Sequence, residues 1–310
     1  MADIHEIIAQ HGVEAARSMA ETKAERRLVD IAAEVMAADA DGIGITHSGF
    51  CLTALPHRQI PDPVWRRDGH RVTLLVRSGL DRAQQQIGVP YGSRARIILI
   101  YLQTMALRAK SPTVELGGSM NDWLSRMNLP VGGATYTQIR EQARRISSCE
   151  LTFFYNLDST DQEGAGRRQG HFVRDEIVIR RRDASQGHLW REEVTLDEMF
   201  FAELVRHPVP LSEVALRQIS GKSLALDIYL WLAYRLHSLE KRTAVSWPAL
   251  FGQFGGGFAH LKHFKPDFTR NLLLATAVYP QARVEMTDTG IVMHPSAPPV
   301  AKPKLALTGR

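Results

Sequence analysis

Cysteine is nearly absent. The 310-residue chain has two, Cys51 and Cys149, with no CxxC, CxH or HxxxH beside either. That excludes a disulfide framework and leaves a structural zinc site without ligands; both thiols read as small hydrophobes in a reducing compartment. Long apolar runs are missing too: the best candidate, Ala225 to Leu236, contains Asp227 and leads into His237, so no membrane span is expected. The start, MADIHEIIAQHG, has acids early and no apolar export segment, and the protein reads as cytoplasmic. Catalytic motifs are lacking as well. HExxH, GxSxG and DxDxDG do not occur. Gly221-Lys222-Ser223 ends like a phosphate loop, but Leu216 stands five positions before Gly221 where glycine is required. Gly42-Ile43-Gly44 lacks the third glycine of a dinucleotide site. Neither an enzyme nor a cofactor is expected, and no metal: His260 and His263 stand at i, i+3 without a thiol or carboxylate to complete a site.

What is present is ordinary globular material, 44% hydrophobic and 23% charged. The length exceeds what one core usually organises, about 250 to 300 residues, so two domains are expected. Thirty-eight Lys plus Arg against thirty-three Asp plus Glu leave net +5, a modest surplus that suits a polyanionic partner without establishing one.

Hydrophobic periodicity gives the organisation. Residues 1–38 read as a helical arm, interrupted at Gly12; Asp39 to Gly49 reads as a linker; Pro56, Pro61 and Pro63 impose an extended path; Arg71 to Val76 is a strand. From Ser93, taken as the N-cap, a helix runs to Arg108, apolar nearly all round. Thr113 to Leu116 is a short strand, and Ser119 caps a helix with Trp123, Leu124 and Met127 on one face. After Gly132-Gly133 a third helix carries Ile139, Ala143 and Ile146 on its apolar side. Leu151 to Tyr155 and Phe172 to Ile179 are strands around a polar loop.

The same order returns later. Ala225 to Leu239 is a buried helix, Ala244 to Trp247 a strand, and Pro248 to Phe254 a short helix. Gly255-Gly256-Gly257 turns into a third helix, Ala259 to Val278, with a break expected at Pro266, and Arg283 to Met286 with Ile291 to His294 flank a turn as a hairpin. Setting Val114 beside Val245 gives an offset of 245 minus 114, or 131; setting Leu151 beside Arg283 gives 132. Such repetition at domain scale outweighs the charge argument. The order is that of a winged helix. The expected fold is mainly α with small β-hairpins (α+β): residues 1–50 arm and linker, 51–185 and 186–296 tandem winged helices, 297–310 a disordered basic tail.

The candidate contacts follow from this order. The first third helix presents Thr135, Tyr136, Gln138, Arg140, Gln142, Arg144 and Arg145, side chains suited to base edges and phosphates; the second offers His260, Lys262, His263, Lys265 and Arg270. Arg167 and Arg168 close a loop that reads as a wing, and Arg180 and Arg181 head a basic run. A solvated helix face would look much the same. Trp123, Trp231, Trp247, Phe153, Phe154 and Tyr229 read as core rather than as base-stacking platforms.

The segments LPHRQIPDPVWRRDGHRVTLLV, GVPYGSRARIILIYLQT, VELGGSMNDWLSRMNL, ARRISSCELTF, ALDIYLWLAYRLHSL, VSWPALFGQFGGGF and AVYPQARVEM resemble the RepA-type plasmid replication initiators of Gram-negative bacteria, from about Leu55 to Ser296. The resemblance implies binding to direct repeats in double-stranded DNA at a plasmid origin, origin opening, control of its own gene, and host initiator and helicase as partners. It also implies two winged helices and a monomer-dimer equilibrium. A transcriptional repressor, or a protein-binding adaptor on the same fold, remains the alternative from the residues alone.

Overall fold

The computed structural model describes residues 4–38, 42–69, 72–155, 166–174 and 193–300, with 166–170 in backbone only. Three helices open it: α1 (Ile4–His11), α2 (Val13–Met19) and α3 (Lys23–Ala37). Gly12, at φ 82°, breaks the first from the second, an angle that costs glycine little. A capping box starts α3: Thr22 Oγ1 accepts from Glu25 N–H while the Glu25 carboxylate accepts from Thr22 N–H. Then come β1 (Ile43–His47), α4 (Ser48–Leu52), β2 (Val64–Asp68), β3 (Val72–Arg77), α5 (Gly92–Ala109), β4 (Thr113–Glu115), α6 (Met120–Arg126), α7 (Gly133–Ser148), β5 (Glu150–Tyr155) and β6 (Gly166–His171). The remainder holds β7 (Glu193–Thr195), α8 (Glu198–Arg206), β8 (Pro208–Ser212), α9 (Glu213–Ile219), α10 (Ser223–Arg235), β9 (Thr243–Ser246), α11 (Trp247–Phe254), α12 (Leu261–Ala277), β10 (Val284–Thr287) and β11 (Gly290–Met293). The fold is mixed, helices dominating over small antiparallel sheets. No helix among the described residues is long and apolar enough to cross a membrane.

Helices α5 and α10 form the centre, each with apolar residues on every side and nearly every one buried, as a helix apolar all round requires. They pack together and share one continuous core. Trp123, Trp231, Trp247, Phe153 and Tyr229 are all buried in it. At the contact Arg96 of α5 meets Asp227 of α10, Nε to Oδ1 at 2.6 Å and Nη2 to Oδ2 at 2.7 Å. These residues are 131 positions apart, the offset of the repeat expected from the sequence. Arg96 also donates to the carbonyls of Leu55, Pro56 and Gly92. Beside it His57 Nδ1 lies 3.0 Å from Ser223 Oγ; burial, then the Arg96 charge, push the imidazole pKa down to about 4.

The second copy folds as its periodicity predicts. Ser246 caps α11, with Pro248 in the first turn, and β9 pairs with β11, which pairs with β10. One detail differs: α12 runs through Pro266 unbroken. Pro266 is the sixth residue of the helix and has no N–H to donate, so the ladder forgoes one hydrogen bond there. The first copy differs more. Its strand β4 pairs with β7, far along the chain, while β5 sits between β3 and β6 in the order β2-β3-β5-β6. The helix α5 begins at Gly92 with Tyr91 as N-cap, not at a Ser93 cap. The strand that pairs with β5 is Gly166–His171; of the expected strand Phe172 to Ile179, Phe172 is fully buried against the Phe200 ring at 4.8 Å and Val173 bridges Leu196. Residues 175–179 lie outside the described residues.

The expected linker contains a strand. β1 pairs with β8 along one edge, and on the other Ile45 N–H donates to Thr104 Oγ1 and His47 N–H to Gln103 Oε1, side chains of α5 standing in for a neighbouring strand. The arm is docked too. Leu28 and Ile31 enter the main core, α3 packs on α12, and His5 Nε2 lies 2.9 Å from the Ala277 carbonyl at the end of α12. At the other terminus the Tyr279 hydroxyl donates to the Ala297 carbonyl; residues 301–310 lie outside the described residues.

Candidate nucleic-acid interface

Helix α12 is set by its apolar side. Phe264, Phe268, Leu272 and Ala275 recur at helical spacing and are buried, with Phe268 edge-on to Trp247 at 6.0 Å and Phe264 edge-on to Phe251 at 5.4 Å. That orientation turns His260, Lys262, His263 and Arg270 outward, all exposed. His260 is the N-cap and makes no side-chain cap bond, so the first turn keeps backbone N–H groups of the kind that suit an anion. The Lys265 ammonium stands 5.2 Å over the Trp247 ring, and Arg270 bonds Asp267 at 2.7 Å. Three lysine or arginine charges thus face one acid on this helix.

Helix α7 divides its polar residues between two sides. Gln138 and Arg144 are exposed, Tyr136 and Arg140 half-buried. Gln138 Oε1 accepts from Arg94 Nε at 3.3 Å, and Arg144 lies 3.5 Å from Asp81. The Arg140 Nε is buried without a hydrogen-bond partner among the described residues. Thr135, Gln142 and Arg145 point inward. Gln142 Oε1 accepts the Tyr91 N–H at 2.8 Å, tying α7 to the start of α5. Arg145 donates to the Val89 carbonyl at 3.0 Å, pairs with Glu141 at 2.9 Å and lies 5.0 Å over the Tyr91 ring. Gln142 and Arg145 are thus tied to neighbouring elements, and Thr135 is buried. Arg167 and Arg168 are on β6, opposite Phe154 and Phe153 in register. Residues 156–165 of the expected wing, and Arg180 and Arg181, lie outside the described residues.

Two arginines were not singled out by the sequence. Arg67 of β2 donates from Nε to the Gln253 carbonyl at 2.7 Å, at the C-terminal end of α11 where a cation is favoured, and burial holds its pKa below the usual arginine value. Arg94 stands in the first turn of α5 beside Gln138, its pKa likewise lowered by burial. Arg94 stands two residues after the glycine that opens α5, a local signal that could have flagged it. Among the described residues no group of three or more His, Cys, Asp or Glu side chains is arranged to hold a metal.

The sequence profile of the family described as plasmid-encoded RepA protein matches residues 89–248, just over half of the 310. The chain belongs to that family, the RepA-type replication initiators. The matched part of this RepA-family protein starts just before α5 and ends at the second residue of α11, so α7 lies within it and α12 beyond it. Among solved structures, the fold is similar to that of selenomethionine derivatives of domains 2 and 3 of RctB. The match has 13% identity and a TM-score of 0.52, covering 82% of this chain and 99% of that one. A second structure of RctB domains 2-3 matches at 14% identity, 78% and 93% coverage and a TM-score of 0.48. At such identities the likeness is one of fold. No curated protein matches the sequence.

Proposed function

We propose that this RepA-family protein initiates plasmid replication by binding repeated sequences in origin double-stranded DNA, without catalytic activity of its own. In this reading residues 223–293 form a winged helix: α10, β9, α11 and α12 are its helices and first strand, and the β10-β11 hairpin, joined to β9, is its wing. The observation that carries the proposal is α12, whose aromatic side is fixed in the core while its first turn turns His260, Lys262 and His263 to solvent. A third helix so presented enters the major groove by its N-terminal residues. The first copy is a winged helix with borrowed strands, contributing Gln138, Arg140 and Arg144 from α7 together with Arg94; Tyr136, Arg167, Arg168, Arg180 and Arg181 add contacts to phosphate. Thr135, Gln142 and Arg145 are left out, being buried.

Two helices on neighbouring grooves neutralise phosphates along one side of the duplex, and binding at adjacent repeats deforms the DNA beside them until it opens. Repression of its own gene, recruitment of host initiator and helicase, and exchange between monomer and dimer belong to the same proposal. Selection of fragments bound by the purified protein from its own sheared replicon, at about physiological salt where non-specific binding is weak, tests it. Recovery of one segment with tandem repeats spaced near a helical turn or its multiples supports the initiator. Recovery of no DNA would replace it with the protein-binding adaptor.

A further inference from the structure

A narrow groove runs beside α5. Ile97, Tyr101, Thr104 and Arg108 follow one another at helical spacing along the floor of a groove whose walls are the end of α6 and helix α9. Met105 and Ile100 complete the floor, and Met127 and Leu216 also line the groove. The cavity is about 80 Å³, far below the roughly 300–1,000 Å³ of small-molecule sites: it has room for one side chain, not for a cofactor. Above the apolar floor the rim is cationic. Arg108 bonds Glu213 at 2.6 Å and Arg126 bonds Asp122 at 3.2 Å, whereas Arg217 is exposed and has no ion pair among the described residues. Three guanidinium groups and one carboxylate thus line a groove that is apolar beneath. The phosphate backbone of DNA would match the rim but has nothing to place on the floor.

We propose that this groove is a docking site for a partner protein, which inserts one apolar side chain into the cavity lined by Met127 and Leu216 and sets an adjacent Asp or Glu against Arg217. The matching charge is the argument: a carboxylate beside the anchor satisfies the unpaired guanidinium and shares Arg108 with Glu213. The site is separate from α7 and α12, so it stands whether or not the DNA reading does.

The probe is a random dodecapeptide library displayed on phage, panned against the full-length protein. Enriched peptides are then synthesised with a fluorescent label and titrated. The expected peptides carry one large apolar residue flanked by acids. They bind Arg217→Glu at least tenfold more weakly and Arg217→Lys nearly as well as the native chain, and they bind less tightly as salt rises. Circular dichroism of Arg217→Glu, an exposed substitution, should overlay that of the native chain, and its DNA binding should be unchanged. Failure to enrich any peptide overturns the proposal, as does binding that is indifferent to Arg217→Glu. Self-association that Arg217→Glu abolishes, without peptide binding, also overturns it by making a second copy of the chain the occupant.

Discussion

Replacing Arg96 by methionine removes the link between the two central helices and leaves Asp227 a buried carboxylate with His57, 3.8 Å away, as its nearest cation-forming neighbour. Both members of the pair are 5% exposed, so the loss belongs to the buried class, in which removing one partner costs about 3–5 kcal/mol. At about 2 °C per kcal/mol for a chain this long, the melting temperature should fall by about 6–10 °C. The double variant, Arg96→Met with Asp227→Leu, should recover most of this, because a buried ion pair replaced by apolar groups of similar size is often neutral. What it does not recover is the Leu55 carbonyl, which loses the Nη2 donor, about 1–3 kcal/mol for an unsatisfied buried acceptor. The Pro56 carbonyl keeps the Gly92 N–H. Urea unfolding followed by circular dichroism measures all three chains. A single variant within about 1 kcal/mol of the native chain, or a double variant no more stable than Arg96→Met, would refute the reasoning that this pair couples the two central helices.

Four further outcomes are expected. His57 has its pKa depressed to about 4 in the fold from about 6.5 when unfolded, so the unfolded chain binds more protons between these values. Stability should be full above about pH 6.5 and fall by about 2–3 kcal/mol on the way to pH 4; His57→Gln should flatten that part of the profile, and an unchanged slope would discard His57 as its source. Arg145→Ala should lower stability by about 2–4 kcal/mol with the loss of a buried charged group and Arg144→Ala by less than about 0.5 kcal/mol, whereas in filter binding only Arg144→Ala should reduce the salt slope, by about one phosphate. Arg140→Ala should cost about 1–3 kcal/mol at a single base position in a mutated-site panel if it reads guanine; equal weakening on every site would put it on phosphate. Gly290→Ala would place a β-carbon 2.0 Å from the Val245 carbonyl oxygen, and prying β9 from β11 should cost about 1–3 kcal/mol in urea unfolding.

The second copy was legible because its instructions are local: Pro248 at a helix start, three glycines at a turn, and Asp288-Thr289-Gly290 between two strands each act on immediate neighbours. The first copy was less so because its strands are completed from far away. Thr113 faces Thr195 across 82 residues, and nothing in Thr113-Val114-Glu115 says which segment will pair with it. The strand β1 escaped for a different reason: a Gly, Thr and Ser composition reads as linker, while the groups that satisfy it, Thr104 and Gln103, sit on a helix. On α7 the signal was present and was overridden by residue type. Thr135, Ile139, Gln142, Ala143 and Ile146 fall at i, i+4, i+7, i+8 and i+11, a single stripe, and all five are buried.

Position on the wheel therefore decided against Thr135 and Gln142 more reliably than chemistry decided for them, and Arg145 followed because its neighbour Tyr91 offers a ring to lie on. The same test on α12 gives the opposite result: Phe264, Phe268, Leu272 and Ala275 fill the stripe, leaving every polar candidate but the half-buried Lys265 exposed. A polar residue in a third helix is thus a contact candidate only off the stripe. By that criterion α12, which lies beyond the segment matched to the RepA family, carries the larger share of the outward charge, and the salt slope of DNA binding should be more sensitive to Lys262→Ala than to Gln138→Ala.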